Sequence, residues 1–86
     1  MADAATRARA REVLLEELSR TARVDLSGLP DEAALRDEVP VDSLALLDVF
    51  LQVEERLGVE LDEDMLGTVR TIGDLVDCVA QAPAAE

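Results

Sequence analysis

The stretch that decides the fold runs Leu35-Arg36-Asp37-Glu38-Val39-Pro40-Val41-Asp42-Ser43-Leu44. It continues Ala45-Leu46-Leu47-Asp48-Val49-Phe50-Leu51-Gln52-Val53-Glu54-Glu55-Arg56-Leu57-Gly58-Val59-Glu60-Leu61. From Leu44 to Leu57 the pattern predicts a helix, with Gly58 placed where a left-handed residue ends one. At about 100° per residue, Leu46, Phe50, Val53 and Leu57 share a face that should bury against other helices. Asp42 is positioned to accept the first free backbone N–H groups as N-cap, which leaves the Ser43 hydroxyl unengaged and pointing outward. An anionic group on Ser43 would lie at the positive end of the helix dipole, a placement worth about 0.3–1 kcal/mol at an exposed site. Taken alone, Asp42-Ser43-Leu44 reads first as an ordinary helix N-cap, and it is the spacing on both sides that favours a modification site.

Upstream of Pro40, Ser27-Gly28-Leu29-Pro30 breaks any helix, and Val24, Leu26, Leu29, Leu35 and Val39 are scattered among acids. This reads as a long ordered loop pinned to the core by its apolar residues. Before it, Thr6 to about Ala22 forms an amphipathic pattern with Ala10, Val13, Leu14 and Leu18 at helical spacing. Downstream, a short helix is expected between Asp62 and Gly67. A last helix is expected from Ile72 to about Ala80, opened by Thr71 with Asp74 three residues on and burying Ile72, Leu75, Val76 and Val79. The expectation is an all-α, three-to-four-helix bundle with a long loop between helices one and two. Residues 1–80 would form a single domain and 81–86 a flexible tail containing Pro83.

Composition narrows the function. Eighty-six residues, 49% of them hydrophobic, allow one modest core, and Phe50 is the only aromatic, which disfavours a β-sandwich. Twenty acidic residues against eight arginines give a formal charge of -12, so no nucleic acid and no membrane are expected as partners, and those expected are basic. The chain has no histidine, and its single cysteine, Cys78, has no second thiol to pair with; no catalytic residue and no metal site is assigned. Cys78 reads as a partly buried structural residue, and Asp62, Glu63 and Asp64 as first-turn acids lacking the glycine and distal glutamate of a calcium loop. Arg36, Arg56 and Arg70 read as members of surface ion pairs. No segment has the length and apolarity of a membrane span or signal peptide, so cytoplasmic residence is expected.

The segment from Leu35 to Leu61 resembles the acyl carrier proteins of fatty-acid and polyketide synthesis. Those proteins carry a Leu-x-Asp-x-x-Gly-x-Asp-Ser-Leu motif followed by an acidic helix that ends in a Phe-or-Leu-Gly-Val-x-Ile-like segment. Thr71-Ile72-Gly73-Asp74-Leu75 is similar to the Thr-Val-x-Asp start of that family's last helix, so the C-terminal half matches firmly and the N-terminal half in pattern. The resemblance implies a carrier, not an enzyme, with 4'-phosphopantetheine attached covalently to Ser43, Asp42 as the capping residue of the motif, and acyl groups carried as thioesters. It further implies docking of partners along the second helix through Leu44, Leu47, Asp48, Leu51, Glu54 and Glu55. From the residues alone, Asp48, Glu54 and Glu55 equally form a solvated face, and Leu47 and Leu51 equally belong to the core.

Partners implied are a phosphopantetheinyl transferase, and acyltransferase or ligase and ketosynthase-type enzymes with basic docking patches; the chain itself is expected to be a monomer. The sequence departs from the family at Pro40, where most members have glycine, and proline excludes a left-handed backbone there. Met1 and the short tail suggest a discrete protein, and the arginine-rich, lysine-free composition suggests secondary metabolism in high-GC bacteria. Two rivals remain. One is a peptidyl or aminoacyl carrier of nonribosomal peptide assembly, disfavoured because Val41-Asp42 stands where that family has Gly-Gly. The other is an acidic helical adaptor unmodified at Ser43.

Overall fold

A computed structural model describes residues 3–85 of the chain. The first helix, α1 (Ala4–Ala22), begins two residues before the expected Thr6 because Asp3 is its cap. The Asp3 carboxylate accepts from Thr6 N at 2.7 Å, and these hydrogen bonds hold its pKa below the ordinary carboxylate value. The helix ends at Arg23, a left-handed residue with φ 59°. Ala10, Val13, Leu14 and Leu18 are buried as their spacing predicts, joined by Leu15 and, against expectation, by Glu17. Glu17 tolerates burial because arginines reach it from two sides: Arg20 on its own helix and Arg56, whose Nη1 lies 2.9 Å from Oε2.

The segment expected as a long loop contains a four-residue helix, α2 (Leu35–Glu38). The loop is held at both ends. Leu26 is buried and its N–H donates to Ser19 Oγ at 2.8 Å, while Arg11 donates to the Leu29 carbonyl and pairs with Asp31 at 2.6 Å. On the far side, Leu35 N donates to Arg70 O, Ile72 N to Ala33 O and Gly73 N to Asp31 O, at 2.8–3.0 Å. Val39 is also buried, and Leu29 and Leu35 are half-buried against the core, so these apolar residues pin the segment; Val24, in contrast, is exposed. Pro40 sits at the centre of a three-residue turn in which Val41 N donates to Val39 O at 2.9 Å, a turn that a proline backbone angle suits.

The expected second helix is α3 (Ser43–Leu57), starting one residue before Leu44 and closed by Gly58 at φ 65°, whose N–H donates to Glu54 O. Its deepest residues are Val49, Phe50 and Val53. Leu46 and Leu57, expected on the buried face, are half-buried because they occupy the first and last turns, where less of the neighbouring helices overlies them. A 3-10 helix at Glu63–Gly67 is capped by Asp62, which accepts from Asp64 N. The last helix, α4 (Ile72–Gln81), buries Ile72, Leu75, Val76 and Val79 as predicted, and Thr71 and Asp74 form a complete capping box. Backbone donors from Arg70 and Thr71 hold the Asp74 carboxyl below its usual range.

α1 packs on both α3 and α4, and the core is the seam where Val13, Leu14 and Leu18 meet Val49, Phe50, Val53, Leu75 and Val76. Of the stretch expected to be a flexible tail, Gln81 closes α4 and residues 83–85 are tied to the α3 C-cap. Glu60 N donates to Pro83 O and Ala85 N to Gly58 O, both at 2.9 Å. Met1, Ala2 and Glu86 lie outside the described residues. No helix among those described is long and apolar enough to cross a membrane.

Candidate functional site

Asp42 is extended (φ -86°, ψ 179°), and its Oδ1 accepts from Ala45 N at 2.8 Å while its carbonyl accepts from Leu46 N at 2.9 Å. Asp42 thus spends its carboxylate on the helix cap. Ser43, the first residue of α3, is exposed, and its hydroxyl has no hydrogen-bond partner among the described residues. The N–H groups of Ser43 and Leu44 lie in the first turn, where no intrahelical acceptor exists and the Asp42 cap takes only the N–H of Ala45 and, through its carbonyl, that of Leu46. An exposed hydroxyl beside free N–H donors at the positive end of a helix of fifteen residues fits a covalently attached phosphate diester. Ser43 and Asp42 form one wall of a groove of about 270 Å³ whose other walls are Leu35, Arg36, Val39, Val41, Leu46 and Val69.

Along α3, the residues expected to dock partners separate. Leu44 is 76% exposed and Leu51 57%, an unusual cost for large apolar side chains, and Asp48 and Glu55 are exposed beside them. Leu47 is half-buried. Glu54 instead serves the fold, because its Oε2 accepts from Leu61 N at 2.7 Å and so fixes the chain after the Gly58 turn. Among the arginines expected in surface pairs, only Arg56 is in one, bridging to Glu16 and the buried Glu17; Arg36 and Arg70 have no salt bridge among the described residues. Sequence reading overlooked Glu17, although a glutamate between Val13, Leu14 and Leu18 on an apolar face, with Arg20 three residues on, was a signal.

A second, larger cleft of about 990 Å³ opens between the end of α3, the 3-10 helix and α4, with Phe50, Leu61, Met65 and Cys78 in its lining. Cys78 is half-buried, as expected, and burial, reinforced by Asp74 and Asp77, raises its thiol pKa, so it stays protonated at neutral pH. No group of three or more histidine, cysteine or acidic residues arranged to hold a metal occurs among the described residues.

Comparison with known proteins agrees with this geometry. Residues 12–79 match the family described as "Phosphopantetheine attachment site". The chain is 33% identical over 69 residues to an acyl carrier protein of Acidothermus cellulolyticus, covering 80% of this chain and 82% of that one. It is 40% identical over 70 residues to the acyl carrier protein MbtL of Mycolicibacterium paratuberculosis, covering 81% and 79%. With an acyl carrier protein of Thermotoga maritima it shares 36% over 62 residues, 72% of this chain and 76% of the other. Family, helical fold and the exposed serine at the head of α3 converge, and the chain belongs to the acyl carrier proteins: a carrier and not an enzyme, bearing a covalently attached 4'-phosphopantetheine.

Proposed function

We propose that Ser43 is the attachment residue and that the chain carries acyl intermediates as thioesters for polyketide- or fatty-acid-type synthesis within secondary metabolism. The observation that carries the assignment is the division of labour at the α3 N-terminus. Asp42 takes the cap, so the Ser43 hydroxyl stays free beside unpaired N–H groups. In the transfer from coenzyme A, Ser43 Oγ would bond to the phosphorus carrying pantetheine, the pyrophosphate bridge would break, and adenosine bisphosphate would leave. The hydroxyl proton would pass to a base of the transferase, since this chain has no histidine to take it. Leu44, Asp48, Leu51 and Glu55 form the exposed strip that partner enzymes with basic patches would meet, with Leu47 at its edge. Secondary metabolism is supported by the arginine-rich, lysine-free composition, and a peptidyl role is disfavoured by Val41-Asp42 before the serine.

Intact-mass measurement after incubation with coenzyme A, magnesium and a broad-specificity phosphopantetheinyl transferase tests the assignment. One phosphopantetheine is expected on the wild type and none on Ser43→Ala. Addition to the Ser43→Ala variant would move the arm to another residue, and no addition to folded wild type would favour an unmodified adaptor.

A further inference from the structure

Of the eight arginines in the chain, Arg7, Arg9, Arg11, Arg20 and Arg56 are in salt bridges, whereas Arg23, Arg36 and Arg70 have none among the described residues. An arginine left without a carboxylate in a chain of twenty acids stands out, and only one of the three, Arg36, lines the groove that Ser43 and Asp42 share. Its base is fixed: α2 is anchored through Leu35 N to Arg70 O at 2.9 Å and through the buried side chain of Val39, which follows it. Asp42, the carboxylate on the same groove, is committed to the cap and makes no salt bridge with Arg36. The rest of the lining, Leu35, Val39, Val41, Leu46 and Val69, is apolar.

We infer that this groove holds the proximal part of the prosthetic arm, with the Arg36 guanidinium on the phosphodiester and the arm's paired methyl groups on Val41, Leu46 and Val69. The inference rests on Ser43 as the attachment residue. A phosphate bonded to Ser43 Oγ cannot leave the neighbourhood of the groove, and a guanidinium offers it a two-pronged, charge-assisted contact that a lysine cannot copy. Beyond the phosphate, the arm continues through a methylene to a quaternary carbon bearing two methyls, the first apolar group available to an apolar wall. At about 270 Å³ the groove is smaller than pockets that enclose a whole small molecule, so it suits this fragment. Arg36 is then a positioning residue: it turns the base of an otherwise free arm toward the α2 side of Ser43.

The test is NMR of the phosphopantetheinylated protein, after mass mapping has located the arm. An arm found elsewhere than Ser43 would overturn the attachment assignment, and this inference with it. With the arm on Ser43, nuclear Overhauser contacts are expected from its paired methyls to methyls of Val41 or Val69. Their absence in the wild type would overturn the inference while leaving the attachment intact. In Arg36→Gln those contacts should fall at least severalfold and the phosphorus resonance should move toward that of free phosphopantetheine, with Arg36→Lys intermediate and Arg23→Gln unchanged. Contacts and phosphorus shift identical in Arg36→Gln and wild type would remove Arg36 from the site.

Discussion

Gly73 is a position where an added side chain would be crowded. A Cβ there would lie 3.0 Å from Asp31 Cβ and 3.2 Å from the Asp31 carbonyl oxygen, to which the Gly73 N–H already donates at 2.8 Å. Asp31 in turn accepts from Arg7 and Arg11, so the backbone facing Gly73 cannot step aside without loosening two ion pairs. Gly73→Ala should therefore destabilise the protein by about 1–3 kcal/mol, as forced overpacking does. Gly28→Ala, with nothing within 4 Å of the added atom, should stay within about 0.5 kcal/mol of wild type. Urea unfolding of the two variants separates these outcomes, and equal midpoints would show that the loop yields freely at Asp31. The contact could not be read from sequence, because the two residues lie far apart along the chain and neither breaks a local rule. Caps were legible for the opposite reason: Asp42 with Ala45, and Thr71 with Asp74, satisfy backbone donors within three residues of themselves.

At the scale of elements, the three long helices were legible because each carries an apolar stripe at helical period. α2 was not, since four residues display no period and its first N–H is satisfied by Arg70 O, from a distant part of the chain. Val49 escaped for a related reason: in the near-continuous apolar run Leu44–Leu51 several faces look buriable, and only the placement of α1 selects among them. What fixes that placement, besides packing, is Arg56 in the last turn of α3 reaching Glu16 and Glu17 of α1 at 3.2 and 2.9 Å. Glu17 is buried, and without Arg56 it would retain only Arg20. Arg56→Ala should consequently lower the melting temperature clearly more than Arg9→Ala, which breaks an exposed pair within one helix. Glu17→Gln, which leaves no buried charge behind, should recover part of the loss when combined with Arg56→Ala. Equal melting temperatures for the two arginine variants would reduce the α1–α3 tie to a surface contact.

For the whole molecule the governing quantity is a net charge of -12 on 86 residues, and its distribution separates acids held in ion pairs from acids left free. The arginines that pair sit on α1 and at the end of α3, and three of them, Arg7, Arg11 and Arg56, tie α1 to the loop, α4 and α3. The flank of α3 that carries Leu44 and Leu51 keeps Asp48 and Glu55 exposed and free of salt bridges among the described residues. Glu54 belongs to the fold through Leu61 N, a distinction that sequence alone could not draw because all three acids look alike as charges on one helix. An unneutralised acidic strip beside Ser43 attracts a basic enzyme before contact, an effect that speeds association by about tenfold or more and fades as salt screens it. Reversing Asp48 and Glu55 to lysine, with Glu54 retained, should therefore slow phosphopantetheinyl transfer at low salt by about tenfold. The wild-type rate should fall as salt is added, while the variant's should stay nearly flat. Because the reversal also relieves self-repulsion, the variant should melt no lower than wild type, which keeps a loss of rate from being mistaken for unfolding. A variant whose rate falls with salt as steeply as the wild type's would place the docking charge elsewhere on the molecule.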